Sequence, residues 1–225
     1  MTVPFVIAGI IGYLLGSLPF GFLVARAHGV DIFKAGSGNP VATNVKRVLG
    51  AKAGNLVYLL DALKGAAAAA WPWAWQASQG TVVGLTFAHG RLHALHAIDV
   101  ALPYCLAGLV GAVVGHTFSI FTRFRGGKGV ATASGGLLVL MPVPILIGAA
   151  VWCLTFSLSR YVSLASILAA IVVPAAAWAL GLHLALEIVV TLLGLLVILR
   201  HAANIRRLFT GTEHRWERRE RKDPP

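Results

Sequence analysis

Residues able to hold an anion gather in three short runs of this chain. The second run is Phe124-Arg125-Gly126-Gly127-Lys128-Gly129-Val130-Ala131-Thr132. Glycine at Gly126, Gly127 and Gly129 permits backbone turns that side chains forbid. Successive N–H groups left open by such turns form an anion-binding nest. Lys128 and Arg125 add positive charge, and a helix starting near Val130 would add the positive end of its dipole. The spacing before the lysine, and the lack of a Ser or Thr directly after it, set the run apart from the nucleotide-binding P-loop. Taken alone, it fits a phosphate site and a tight turn with membrane-edge cations equally well.

The first run is Gly36-Ser37-Gly38-Asn39-Pro40-Val41-Ala42-Thr43-Asn44-Val45-Lys46-Arg47. Small polar residues at this density often mean only a loop and a helix cap. Here Ser37, Asn39, Thr43 and Asn44 offer hydroxyl and amide groups, and Arg47 offers a planar fork that matches phosphate. A helix starting near Val41 would put Asn44 and Arg47, three apart, on one face. The third run, Arg200 to Glu213, holds His201, Asn204 and Leu208 at i, i+3 and i+7, again one helical face. It also reads as an interfacial helix end with snorkelling basic residues.

The elements that must position these runs are membrane helices. Of the 225 residues, 57% are hydrophobic and only 12% are charged, and the mean hydropathy is +0.78. The apolar residues fall in blocks long enough to span a bilayer. The net charge of +11 suggests nucleic acid at first sight. The cations instead sit at the ends of apolar blocks, which excludes that class. Cys105 and Cys153 lie inside apolar runs, with neither disulfide nor metal spacing. Met1-Thr2-Val3-Pro4 has no basic stretch and does not resemble a cleaved signal peptide.

The apolar blocks run from about Val3 to Ala25, Ala53 to Trp75, Val100 to Phe121 and Val130 to Leu199. Gly9, Gly12, Gly16 and Gly21 give the first block a small face for close helix packing, and Ser17-Leu18-Pro19 is expected to kink it. The last block is broken at Met141-Pro142-Val143-Pro144, Ser159-Arg160 and Gly181-Leu182-His183, giving four segments, the first of them short. Of the 19 Lys and Arg, five lie within Arg26–Lys52, three within Arg123–Lys128 and eight within Arg200–Lys222. Cationic loops stay in the cytoplasm. Three crossings before Lys128 and four after it satisfy every loop, with the N-terminus outside. Five crossings satisfy the three cationic groups as well. The expected fold is thus all-α: one membrane domain over residues 1–225, seven transmembrane helices and a cytoplasmic C-terminus. The motif loops at about 26–52 and 122–130 and the segment from 200 to 225 would share the cytoplasmic side.

At this point the residues resemble a known family. Gly36–Arg47, Gly115-His116 with Phe124–Thr132, and His201–Glu213 look like the three motifs of the PlsY family of bacterial membrane acyltransferases, in the same order. Gly16–Gly21 and Asp61–Gly65 are also similar to family features. Val41 departs from the pattern, which usually has glycine there. The resemblance implies seven transmembrane helices and an acyl-phosphate:glycerol-3-phosphate acyltransferase making lysophosphatidic acid and phosphate for phospholipid synthesis. It implies a bacterial cytoplasmic (inner) membrane protein whose active site faces the cytoplasm. It also implies that Ser37 and Arg47 are essential, that the glycines around Lys128 form a phosphate loop, that His201 and Asn204 act in catalysis, and that Glu213 is structural.

Such chemistry suits the residues present. An acyl phosphate is a mixed anhydride, already activated, so the protein must chiefly position two anions and stabilise a tetrahedral oxyanion. Arg47 and Lys128 are candidates for phosphate charge, with Asn39, Thr43, Asn44, Gly126, Gly127 and Gly129 as further binding groups. Ser37 and Asn204 could hold the acceptor or the oxyanion. The proton acceptor is His201 or a substrate phosphate oxygen. A covalent acyl-serine at Ser37 would lack an evident His–Asp activating pair, and no histidine precedes an aspartate by five residues, so the His-x4-Asp motif of the common acyltransferases is absent.

No cofactor is expected, and the partners are the two substrates and the bilayer, with the chain acting as a monomer. Asp61 and Lys64 read as a structural ion pair inside a crossing. His89, His93 and His96 have a spacing that could bind metal, but sit on the outer side and read as an interfacial segment. Arg215–Lys222 reads as a solvated tail touching anionic lipid. An organic-phosphate transporter would place its site near the midplane with repeat symmetry. These motifs lie at one surface, and no repeat is visible. A lipid-binding scaffold would have no use for the glycine-lysine run.

Overall fold

The computed structural model describes residues 2–78, 85–88, 91–94 and 97–216. Ten helices account for most of them. In chain order these are α1 (Thr2–Ser17), α2 (Phe20–Ala27), α3 (Ala42–Leu49), α4 (Ala51–Ser78), α5 (Ala97–Thr117), α6 (Val130–Leu140), α7 (Pro142–Ser159), α8 (Val162–Ala179), α9 (Leu184–Arg200) and α10 (Ala202–Phe209). A small antiparallel hairpin, β1 (Leu85–Ala88) with β2 (Arg91–Ala94), stands between α4 and α5. Apart from this hairpin, the regular structure of the described residues is all helical. His93 lies in β2 opposite Thr86, while His89, His96 and residues 217–222 of the tail lie outside the described residues.

Among the described residues, four segments are long and apolar enough to cross a membrane: Pro4–Ala27, Ala101–Thr122, Pro142–Ser159 and Val162–Ala179. Helices α9 and α10, bent by 55° to each other, would give a fifth only if counted together as one span. The remaining two of the seven expected crossings differ for identifiable reasons. Helix α6 has 11 residues, about 17 Å at 1.5 Å per residue, against a hydrocarbon core of about 30 Å. Helix α4 is long but carries Lys52, Asp61 and Lys64. All three expected breaks after Leu140 are present. Pro142 opens α7, Arg160 closes it with a φ of 65°, and Gly181–His183 separates α8 from α9.

Helix α1 packs along α5, with Gly12 and Gly16 against the backbones of Gly108 and Ala112. This is the small-residue face expected of the first block. Leu106, Leu109, Val113, Leu137, Val190 and Leu193 form the main apolar core between α5, α6 and α9. A second core of Ala25, Ile32, Val45, Ala53 and Val57 lies under the first motif and seats α3 on α4. Asp61 and Lys64 do pair, Nζ to Oδ1 at 2.7 Å, and both side chains are buried. Lys64 Nζ also donates to the Leu18 carbonyl at 2.8 Å, at the step between α1 and α2 where helical bonding is interrupted.

Candidate active site

Helix α3 begins at Ala42, as the first run suggests, with Val41 extended before it. Its buried face is Asn44 and Val45. Asn44 ties the loop together. Its Oδ1 accepts from Ser37 N at 2.8 Å, and its Nδ2 donates to the carbonyls of Ala35 and Asn39, each at 3.0 Å. The Asn44 amide is therefore engaged by its own loop rather than offered to a ligand. Asn39 Nδ2 makes a long contact with the Ser37 carbonyl at 3.4 Å. Ser37 and Arg47 are exposed, while Asn44 is buried. Thr43 is half-buried on α3. Among the described residues, no hydrogen bond ties Thr43 to the other two motifs.

The second motif runs from the end of α5, through a 3-10 turn at Ile120–Thr122, into α6. Gly126, Gly127 and Gly129 are buried. Gly127 N donates to the His116 carbonyl at 2.9 Å, so this N–H is not open to a ligand as the sequence suggested. The N–H groups of Gly126, Lys128 and Gly129 make no backbone hydrogen bond among the described residues. Gly129, with a φ of 83°, leads directly into the uncapped start of α6. Open donors at a helix N-terminus suit an anion. Arg200 braces the other side, with Nε donating to the Gly127 carbonyl at 3.3 Å.

The third motif starts at the bend between α9 and α10. His201 is buried at that bend, and its Nδ1 lies 2.7 Å from the Val197 carbonyl. Nδ1–H donates there, leaving Nε2 with its lone pair. Burial and then the nearby Lys128 charge push the imidazole down to about 4, against opposing effects from Val197 and Glu213. His201 is therefore neutral at pH 7, with Nε2 a weak base.

Lys128 and Asn204 join the second motif to the third. Lys128 Nζ donates to Asn204 Oδ1 at 2.7 Å. Asn204 Nδ2 donates to Glu213 Oε1 at 2.7 Å. Glu213 also accepts from Ser163 Oγ at 2.8 Å and from Arg207 Nε at 2.7 Å. Burial alone would raise the Glu213 carboxyl, but the bonds from Asn204, Ser163 and Arg207 hold it below the usual carboxylate range. Lys128 is brought down to about 8, chiefly by burial. Glu213 resists that shift, and Arg207, Arg200 and Arg47 add to it. Burial also lowers Arg47, while Glu213 resists and Arg207 reinforces the shift. Four cations thus share one carboxylate, an imbalance that favours an incoming anion.

Three contacts tie the first motif, or Phe33 just before it, to the second motif or to Trp216 just after the third. Val41 packs against Gly127, Arg125 lies 4.4 Å over the Phe33 ring, and Lys46 lies 5.4 Å over the Trp216 ring. Arg47, Lys128, His201, Asn204 and Glu213 come together as expected. Ser37, Asn39 and Asn44 form their own local group beside them. Sequence reasoning missed Arg200, Arg207 and Ser163. Arg200 and Arg207 are seven apart and so share a face of the third run, a signal that was available. Nothing in the sequence marks Ser163, which meets Glu213 across 50 residues.

A family model described as glycerol-3-phosphate acyltransferase matches residues 6–211. The chain belongs to the PlsY family of glycerol-3-phosphate acyltransferases. A glycerol-3-phosphate acyltransferase of Sinorhizobium medicae is 39% identical over 92% of this chain and 89% of its own length. One from Endomicrobium trichonymphae is 41% identical over 92% of each chain. The crystal structure of PlsY, an integral membrane glycerol 3-phosphate acyltransferase, in its glycerol 3-phosphate form, superposes with a TM-score of 0.79. It is 37% identical and the match covers 95% of this chain and 96% of that one. Its lysophosphatidic acid form gives a TM-score of 0.77. Family membership makes this chain a membrane-embedded glycerol-3-phosphate acyltransferase of bacterial type.

Proposed function

We propose that the acyl donor is an acyl phosphate and that the acyl group passes to the 1-hydroxyl of sn-glycerol 3-phosphate. The hydroxyl oxygen attacks the acyl carbon, and the bond from that carbon to the phosphate oxygen breaks. Lysophosphatidic acid and inorganic phosphate leave, and the hydroxyl proton passes to His201 Nε2 or to a phosphate oxygen. The Lys128–Asn204–Glu213 relay beside Arg47 carries this reading. It presents charge for two phosphates without a nucleophile activated for covalent transfer.

In this reading Arg47 and Lys128 hold phosphate, and Asn204 fixes the Lys128 ammonium in place. The open N–H groups of Gly126, Lys128 and Gly129 complete the anion site. Ser37, exposed in the first motif, binds the acceptor. Asn39 and Asn44 hold the loop that presents Ser37. The apolar helices beside the site accommodate the acyl chain, each buried CH₂ contributing about 0.8 kcal/mol. Palmitoyl phosphate and palmitoyl-CoA, each with radiolabelled glycerol 3-phosphate and purified protein, test the donor. Product from palmitoyl phosphate alone is expected, and product from the thioester alone overturns the reading.

The proposed setting is the bacterial inner membrane, with residues 1–225 as one unit, a monomer, seven crossings and the three motifs facing the cytoplasm. Single cysteines introduced as Ser37→Cys and Thr212→Cys, in a background lacking Cys105 and Cys153, should resist an impermeant maleimide in intact cells. Gln79→Cys should react. Labelling of either motif cysteine without permeabilisation overturns the orientation.

A further inference from the structure

His116, in the last turn of α5, is buried and lies beneath the glycine-lysine loop. Gly127 is held against it twice. The Gly127 N–H donates to the His116 carbonyl at 2.9 Å. The space a Gly127 methyl would need is taken by the imidazole, at its Nε2 edge. On the far side of the ring, Nδ1 lies 3.5 Å from Asp61 Oδ1. That carboxylate is paired with Lys64 at 2.7 Å, and Lys64 is tied to the Leu18 carbonyl. Ring, carboxylate and ammonium therefore form a buried column running from the step between α1 and α2, through α4, to the underside of the loop. A cleft lined by Ser17, Asp61, Lys64, His116, Arg125 and Gly126 follows the same path.

We propose that His116 is a positioning residue for phosphate binding, its ring fixed by the Asp61–Lys64 pair so that Gly127 and the open donors after it are held ready for the anion. The inference rests on the reading of the glycine loop as the phosphate site. Such a column is costly to bury unless its members are mutually satisfied. A carboxylate facing one ring nitrogen sets the tautomer and orientation of an imidazole. With Nδ1 on the side of Asp61, the Nε2 edge of the ring faces Gly127. Arg200 holds the carbonyl of the same glycine from the opposite side at 3.3 Å. The loop is thus gripped between a fixed imidazole and a guanidinium, and little reorganisation is left when phosphate arrives. His116 touches the loop rather than the reacting atoms, so the effect belongs in binding and not in the chemical step.

The test compares His116→Gln, whose side-chain amide falls close to the place of the Nε2 edge, with His116→Leu, which fills similar space without a polar group. Binding is read as the shift in melting temperature with glycerol 3-phosphate and with inorganic phosphate, in detergent and without acyl donor. It stays readable even if the donor is not an acyl phosphate. Steady-state kinetics supply KM and kcat separately. His116→Leu should weaken binding of at least one of the two probes by about tenfold, with kcat within about threefold. His116→Gln should stay within about threefold of the parent on both. Asp61→Asn combined with Lys64→Met, which removes both charges, should move the same binding constant in the same direction. The proposal is overturned if Leu and Gln behave alike, or if His116→Leu lowers kcat while both probes bind as in the parent. A failure of acyl phosphate to react in the unmutated protein would instead overturn the donor assignment and leave this binding test intact.

Discussion

The two glycine-bearing loops of the site are built in opposite ways. The second motif is buried and gripped by backbone: a methyl on Gly126 would meet the carbonyls of His116 and Thr117, and one on Gly127 the His116 ring. The first motif is exposed from Gly36 to Ser37 and is held chiefly by one side chain, Asn44, through three hydrogen bonds. Gly36 and Gly38 there have φ values of 58° and 69°, which favour glycine, and a methyl on Gly36 would meet the Asn44 side chain rather than backbone. One loop is packed so closely against backbone that a side chain has no room there, while the other is shaped chiefly by one replaceable amide.

The sharpest way to break that contrast is Gly126→Ala. The added methyl has no room, the loop must shift by about an ångström, and such displacement costs on the order of 100-fold in rate. We expect kcat/KM for glycerol 3-phosphate to fall by at least that factor while the protein still inserts in the membrane. Parent-like kinetics would show that the loop is compliant.

Next in size is Arg47→Lys. A bidentate phosphate contact needs the planar fork, whereas a membrane anchor needs only charge. Loss of one charge-assisted hydrogen bond costs about 1.5–3 kcal/mol, or roughly 10- to 150-fold in kcat/KM. Lys46→Arg and Lys52→Arg should stay near the parent. If Arg47→Lys does so too, the anion site centres on Lys128 alone.

Asn44→Ala addresses the weaker loop directly. It leaves Ser37 N and two carbonyls without their partner, and about tenfold of kcat/KM should be lost with a lower melting temperature. Asn44→Asp keeps the acceptor for Ser37 N but not the donors, and should fall between Ala and the parent. An Asn44→Ala enzyme as active as the parent would mean that some other contact shapes the loop.

A pH titration sharpens the electrostatic side. The ordinary lysine value is lowered to about 8 at Lys128, so the ammonium is present below that pH and lost above it. The kcat/KM profile should therefore decline above about pH 8, by about tenfold between pH 7 and pH 9. Lys128→Arg, which stays charged throughout, should lack this decline in whatever activity it retains. An unchanged alkaline limb in that variant would assign the limb to another group.

The smallest effect is expected at Lys46→Gln, which removes the cation from the Trp216 ring. An exposed contact of this kind is worth about 0.5–1 kcal/mol, or roughly a two- to fivefold change in stability constant. Melting curves would show it, with kcat/KM hardly moved.

Much of this was legible in the chain. The helix at Ala42, the breaks at Pro142, Arg160 and Gly181–His183, and the Asp61–Lys64 pair all follow from local spacing. Two readings failed for physical reasons. The Gly127 N–H was counted as open, but its partner is a carbonyl 11 residues earlier in another element. Asn44 was counted as a binding group, but the loop folds back onto its amide. The hairpin β1–β2 lies in a stretch that reads only as a loop.

By itself, the sequence determined the membrane class, the order of helices and the three motif runs. Apolar blocks, prolines, glycines and flanking charges act within a few residues of where they stand. Only the tertiary structure decided how the runs combine. Lys128 reaches Asn204 across 76 residues, Ser163 reaches Glu213 across 50, and Arg200 reaches Gly127 across 73. Those meetings depend on how α5, α6, α8 and α9 pack. Helix packing follows from surfaces facing one another in space, which no short window of residues records.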